Sequence, residues 1–202
     1  MFAELKKEDA FANAIINLAN QKLGLPYGKD GYNCVTLVFS VLREVAKNEG
    51  KEFRAPWFVN GGTLVKTLTE PAPIYLPSQL KTQKGDMLMR VTEAKSFREI
   101  MQHYKAGDMA LRIIDGKVHA ITQEEAKNMF LRGEKVYLVK HYLISTGDAV
   151  IHASSSKNKV VKEKLERYLE KNRRSSFVVI NLHETYMLGA STVAKAQPGF
   201  LE

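Results

Sequence analysis

The stretch that most constrains the fold spans residues 23–38, Leu-Gly-Leu-Pro-Tyr-Gly-Lys-Asp-Gly-Tyr-Asn-Cys-Val-Thr-Leu-Val, and it holds the only cysteine, Cys34. A loop rich in glycine and aspartate precedes this cysteine, and an apolar run with helical spacing follows it. Asn33 is a favourable N-cap residue, so the pattern predicts a helix that begins at Cys34 and closes near residues 48–50. The residues expected on its inward face are Val35, Val38, Phe39, Leu42, Val45 and Ala46.

The predicted position of Cys34 has a chemical consequence. A thiol on the first turn of a helix faces unpaired backbone N–H groups and the positive end of the helix dipole. Both favour the thiolate, so we expect a nucleophile whose pKa lies below the free value of about 8.5. The alternative is a small, buried cysteine that only packs on an apolar helix.

Length and charge limit the classes to consider. The 202 residues predict one domain, residues 1–202, with an irregular segment at 51–84 and a loosely ordered tail at 189–202. The net charge of +8 suits an anionic partner such as cell-wall polymer, lipid headgroups or nucleic acid. A single cysteine excludes an internal disulfide. Residues 2–9 lack the apolar region of a signal peptide. No apolar segment of the sequence is long enough to span a membrane. The localisation of the protein therefore stays open.

The remaining patterns predict an α+β fold. Helices are expected at residues 6–22, 94–105, 122–133 and 161–173, and a short one at 62–68. Strands are expected at residues 84–91, 107–114, 117–121, 135–145, 149–155 and 177–182. The proline-rich segment 51–84 either lines a substrate groove or is a surface loop anchored by Trp57.

Five histidines are candidates for a base beside the thiol. His141 and His152 flank one predicted hairpin, so their side chains can meet across paired strands. A thiol hydrolase needs a base and a group that orients it, and this pair offers both. His119, also on a predicted strand, is the competitor for the role of base. His103 is expected to be exposed on a polar helix, and His183 is expected at the surface.

Two stretches resemble the NlpC-type cell-wall peptidases, which are papain-like cysteine hydrolases. The first is Leu-Gly-Leu-Pro-Tyr, a Gly/Asp loop and Asn-Cys-Val-Thr-Leu-Val; the family's usual form is Gly-x-Pro-Tyr, then Asp-Cys-Ser-Gly-Leu-Val. The second runs from His141-Tyr-Leu-Ile-Ser to Val-Ile-His152-Ala-Ser-Ser, like the family's histidine strand, tight turn and Ile-His-Ala-Ser. The chain departs at Asn33 and at Val35-Thr36. The Cys-Val-Thr variant resembles the N-acetylmuramoyl-L-alanine amidase-like branch, in which a Val-Val strand and a Leu-x-x-Tyr-Leu helix also follow.

The resemblance implies a papain-like fold in which the nucleophile begins a helix packed on an antiparallel sheet that carries the catalytic histidine. It implies Cys34 as nucleophile, His141 as general base and His152 as the residue that orients it. Asn33 and Tyr27 would contact substrate, although Tyr27 could instead pack under the loop. The implied substrate is peptidoglycan, cut within the stem peptide or between muramic acid and L-alanine. We expect a monomer with no metal, no cofactor, no nucleic-acid partner and no integral membrane association.

Two other functions stay open at this stage: an acyltransferase or thioesterase acting on lipid or protein acyl groups, and an inactive wall-binding module. The cysteine-first order argues against the circularly permuted, lipid-modifying relatives. The presence of the thiol and both histidines disfavours the inactive module. One cysteine and dispersed histidines do not match common zinc spacings, and no phosphate or dinucleotide motif is present. The basic segment 157–174 interleaves Glu163, Glu166 and Glu170, which is typical of a solvated face.

Overall fold

The computed structural model describes residues 2–28, 31–53, 72–184 and 186–187, with side chains from residue 8 onward. The elements in chain order are α1 (Phe2–Gln21), α2 (Cys34–Asn48), β1 (Ile74–Tyr75), β2 (Lys84–Glu93), α3 (Phe97–Lys105), β3 (Leu111–Ile114), β4 (Lys117–Ala120), α4 (Gln123–Leu131), β5 (Tyr137–Thr146), β6 (Ala149–Ser154), β7 (Lys159–Lys164), α5 (Leu165–Lys171) and β8 (Ser176–Asn181). The strands form one antiparallel, eight-stranded sheet on which helices pack, so the predicted α+β class is confirmed.

Strand β5 is the centre of the sheet. β2 pairs along the whole of one edge of β5, and the opposite edge meets β3 at Tyr137 and β6 at Ile144 and Ser145. Between these two contacts, no described strand pairs with residues 138–143 on that edge, and we call this stretch the open edge of β5. A register shift also makes Lys140 an extra residue of β5. A bulge of this kind bends a strand and redirects neighbouring side chains, here beside His141.

The two faces of the sheet are covered by different helices. Because side chains alternate along a strand, Met87 and Met89 of β2 face α1 and α2, whereas Leu88 faces α5. α1 buries Phe11, Ile15, Leu18 and Ala19, as its spacing predicts. α2 buries Leu37, Val38, Val41, Leu42, Val45 and Ala46, while Val35 and Phe39 of the predicted face are half-buried.

The chain between β2 and β5, which we call the insertion, builds a second, smaller hydrophobic core. The insertion consists of α3, the β3–β4 hairpin and α4, and the buried side chains of this core include Ile100, Ile121 and Leu138. The hairpin turns at Asp115 and Gly116, which both have positive φ, as the predicted Asp-Gly turn requires. The predicted capping box opens α4 at Thr122. The insertion thus has its own apolar support and stands beside the open edge of β5.

Several element predictions need correction or lie outside the described residues. Residues 161–164 belong to strand β7, so the helix predicted at 161–173 is wrong at its start; the helical part is α5. The segment predicted to be irregular contains β1 and a 3-10 turn at Pro77–Gln79. The predicted helix at 62–68, Trp57 and the tail at 189–202 lie outside the described residues. Among the described helices, none combines the length and the apolarity needed to cross a bilayer.

Candidate active site

Cys34 is the first residue of α2, as the sequence predicts. The Asn33 Oδ1 atom accepts hydrogen bonds from the backbone N–H groups of Val35 and Thr36 at 2.9 and 2.8 Å. In return, the Asn33 N–H donates to Thr36 Oγ1 at 2.8 Å. This reciprocal cap satisfies helix N–H groups and fixes the point at which the chain turns into the helix. The cap therefore fixes the backbone of Cys34 at the start of the helix.

The loop before Cys34 is tied to the outer edge of β7. The Tyr27 N–H donates to the Asn158 carbonyl at 3.1 Å, and the Val160 N–H donates to the Leu25 carbonyl at 2.8 Å. Position 31 requires a glycine because the backbone of Pro26 lies close to it: a Cβ atom on residue 31 would be 2.0 Å from the Pro26 carbonyl oxygen. These contacts place the loop before Cys34 beside the β6–β7 pair that carries His152.

The electrostatics of Cys34 differ from the sequence expectation. The cause that dominates is burial, which raises the pKa of the thiol above its ordinary value. The backbone N–H groups of Tyr142, Val35 and Cys34 itself favour the thiolate, but they do not compensate for the lost hydration, and the Asp108 carboxylate adds to the rise. The free protein therefore holds a protonated thiol next to the open edge of β5.

His141 and His152 are brought into direct contact. His141 Nε2 lies 2.8 Å from His152 Nδ1, and the two rings are nearly perpendicular at 86°. The hairpin of β5 and β6 positions both residues, as their flanking positions in the sequence predict. His141 directly precedes Tyr142, whose N–H contacts the sulfur. Among the described residues no hydrogen bond joins the thiol to either imidazole, and His141 keeps its Nδ1 atom outside the histidine pair.

Both imidazoles are neutral at physiological pH. Burial, with the neighbouring imidazole and the charge of Arg90, lowers the pKa of His141 from 6.5 to about 3. Burial also lowers the pKa of His152 to about 4, although the Glu163 carboxylate opposes this shift. Arg90 lies opposite His141 in the β2–β5 pairing. A neutral His141 has a lone pair that can accept a proton, which is the state a general base needs.

A cavity of about 550 Å³ opens beside Cys34. The insertion contributes His103 and Asp108 to one side of this cavity. The His103 Nε2 and Asp108 Oδ2 atoms are 3.5 Å apart. The His103 side chain is only 12% exposed, so its predicted exposure is wrong; α3 turns it towards α2. Arg43 and Lys140 add positive charge to the same cavity. The cavity therefore presents both signs of charge around the thiol.

The other residues singled out in the sequence are distributed as follows. Asn33 lines the cavity, but its Oδ1 atom is engaged in the cap. Tyr27 is half-buried against the main core and does not line the cavity. His119 is on β4 opposite Arg112 and does not line the cavity beside Cys34. His183 is half-buried, with its ring 4.9 Å from that of Phe11.

Four residues near the site were not found by sequence reasoning: Arg90, His103, Asp108 and Glu163. Each reaches the site through packing between segments distant in the chain. No group of three or more His, Cys, Asp or Glu side chains within the described residues is arranged to hold a metal. Comparisons with models of known protein families, with curated proteins and with solved structures found no match.

Proposed function

We propose that this protein is a papain-like cysteine hydrolase of the NlpC type that cleaves amide bonds in peptidoglycan. The observation that carries the proposal is the 2.8 Å contact between His141 Nε2 and His152 Nδ1, directly beside the strand residue whose N–H meets the Cys34 sulfur. A nucleophile, a neutral base and a group that orients the base are the minimum set for thiol hydrolysis. Cys34, His141 and His152 fill these roles in that order.

The first step in this proposal is proton transfer coupled to attack. Because the thiol is protonated and His141 is neutral at rest, His141 Nδ1 removes the thiol proton as the sulfur attacks the amide carbonyl carbon. A C–S bond forms, and the carbonyl oxygen becomes an oxyanion. His152 holds the imidazole in place through its 2.8 Å contact.

The oxyanion needs hydrogen-bond donors at the start of α2. The N–H groups of Val35 and Thr36 donate to Asn33, so the Cys34 N–H is the helix donor that we assign to the oxyanion. Collapse of the intermediate breaks the C–N bond, and the His141 imidazolium gives its proton to the leaving amine. Water then attacks the thioester, with His141 again acting as base, and releases a carboxylate and the thiol.

The charges of the cavity support a peptide substrate. Asp108 and His103 lie on one wall, and Arg43 and Lys140 contribute cations. Cell-wall stem peptides carry carboxylates and amines that such a lining can pair, whereas a fatty acyl chain would strip these groups of water without compensation. The net charge of +8 adds a long-range attraction to an anionic wall, which salt should weaken.

The test is mass spectrometry of purified muropeptides incubated with the protein. Wild-type protein should release a new amine and carboxylate at one bond, and Cys34→Ala should release none. Intact muropeptides together with turnover of a lipid ester or an acyl thioester would assign the chain to acyl chemistry instead. Binding to peptidoglycan without cleavage of any of these substrates would assign it to the wall-binding modules.

A further inference from the structure

The Nε2 atom of His152 is buried and has no hydrogen-bond partner among the described residues. The carboxylate beside it belongs to Glu163 of β7, whose Oε2 atom lies 4.0 Å from Nε2. Val161 is opposite His152 and Glu163 is opposite Val150 in the β6–β7 pairing, so Glu163 is diagonal to His152 on one face of the sheet. The His152 and Glu163 side chains are only 7% and 9% exposed. A shift of about 1 Å would bring them into hydrogen-bond distance.

Glu163 is kept ionised by cations of α5. Lys171 Nζ forms an ion pair with Glu163 Oε1, and Arg167 Nε lies 3.9 Å from the same oxygen. Burial works to raise the pKa of Glu163, but the hydrogen bond and charge of Lys171 hold that pKa below its usual range. A buried carboxylate with no proton can only accept hydrogen bonds. It therefore faces His152 as an acceptor.

We propose that Glu163 is a positioning residue that acts through His152 to set the tautomer of His141, an inference that rests on the proposed function. To take the thiol proton on Nδ1, His141 must carry its own proton on Nε2. That N–H then donates to His152 Nδ1, so the proton of His152 is on Nε2. The Glu163 carboxylate favours the His152 tautomer that is protonated on Nε2, because a carboxylate accepts a hydrogen bond from an N–H and is repelled by a nitrogen lone pair.

The same carboxylate stabilises the charge that forms during the reaction. Once His141 has taken the thiol proton, the histidine pair carries one positive charge. Arg90, Lys157 and Lys171 face His152 and oppose that charge, whereas Glu163 favours it. The Tyr168 ring, 5.3 Å from that of His152, covers the pair without adding charge. Glu163 thus offsets the positive charges around the histidine pair, which must itself gain a positive charge when His141 takes the proton.

Nitrogen-15 NMR of the imidazoles in the resting protein tests the tautomers without any substrate. In the wild type, His141 and His152 should each have a protonated Nε2 and an unprotonated Nδ1. Glu163→Gln should convert this pattern into a tautomer mixture, and Glu163→Asp should restore it in part. Glu170→Gln, an exposed residue of α5 with the same change of charge, is the matched control and should change nothing. An unaltered pattern in Glu163→Gln would overturn the inference.

Kinetics with a cleavable muropeptide add a second measurement. Glu163→Gln should lower kcat by about 10- to 100-fold with KM unchanged, which is less than the 10²–10⁴-fold that general-base catalysis supplies, because His152 still holds His141. The acid limb of the kcat profile should move to lower pH, because loss of the anion lowers the pKa of the pair. A role confined to folding would not move that limb.

The two proposals can fail separately. If the wild type cleaves muropeptides while Glu163→Gln changes neither the tautomers nor kcat, the role of Glu163 is refuted and the hydrolase remains. If the tautomers respond to Glu163→Gln but the wild type leaves muropeptides intact, the proton chain stands and the substrate assignment is refuted.

Discussion

The resting protonation state of the Cys34–His141 pair can be tested by alkylation. Burial raises the pKa of the Cys34 thiol and lowers the pKa of His141 from 6.5 to about 3. The change at His141 alone disfavours the imidazolium by about 5 kcal/mol, at 1.36 kcal/mol for each pH unit. The raised thiol pKa acts in the same direction, because it disfavours the thiolate. The resting thiol and imidazole are therefore both neutral.

The assay is the rate of iodoacetamide labelling as a function of pH, and because Cys34 is the only cysteine, the rate reports on this thiol alone. For a neutral pair the rate should rise about tenfold per pH unit and level off at a higher pH than in the unfolded chain, since the thiolate is the species that reacts and burial raises the thiol pKa. Protein unfolded in urea is the internal reference and should level off near the free pKa of about 8.5.

The His141→Ala variant separates the two possible resting states. Its labelling curve should match that of the wild type, because a neutral imidazole lends no charge to the thiol. Its kcat should nevertheless fall by about 10²–10⁴-fold, because the base is gone. A wild-type labelling plateau that extends well below pH 8 and disappears in His141→Ala would refute this reasoning and establish a preformed ion pair.

Three further outcomes concern the cavity, acid stability and a core glycine. His103→Ala should change KM more than kcat, and a loss of kcat as large as that in His141→Ala would make His103 the base instead. Because folding lowers the pKa values of His141 and His152, the stability that they provide is complete above pH 6.5 and is lost as pH falls towards 3. Urea unfolding between pH 7 and 4 should therefore show a shallower pH dependence in His141→Gln. Gly85→Ala should cost about 1–3 kcal/mol more than Gly107→Ala, because both have φ of +84° but only at Gly85 would the Cβ meet Ala12 at 2.9 Å.

The start of α2 could be predicted because its signals are local. Asn33, the apolar spacing after it and the glycine-rich loop before it act within a few residues of one another, and Asn33 caps the helix as expected. The meeting of His141 and His152 was also predictable, because one hairpin brings the two strands together. Hairpin pairing between residues 11 positions apart is nearly a local property of the sequence.

The thiol pKa could not be predicted in the same way. Asn33 and the helix that follows reveal the N–H groups that favour a thiolate, but not how much water the fold removes from the sulfur. Burial opposes those N–H groups and exceeds them. The balance depends on Asp108 of the insertion, 74 positions after Cys34, and on β5, which begins 103 positions after it.

Glu163 was missed for a different reason. Alternating lysines and glutamates around it are typical of a solvated helix, so its charge was assigned to a surface. Pairing of β7 with β6 overrides that pattern, since strand preferences depend on the neighbouring strand more than on the residues themselves. In a strand, the period of two turns Glu163 and Val161 to one face, and Glu163 then lies beside His152 under the α5 cations.

The open edge of β5 connects the fold to the chemistry. β3 leaves this edge at Tyr137 and β6 joins it only at Ile144, and between these two points the N–H of Tyr142 meets the Cys34 sulfur. A fully paired edge would engage that N–H in the sheet and keep α2 at a distance. The insertion that diverts β3 also supplies Asp108 and His103 to the cavity. One departure from regular pairing therefore brings this N–H to the sulfur, admits Cys34 to the edge of the sheet and, in the proposed function, builds the wall against which a substrate would lie.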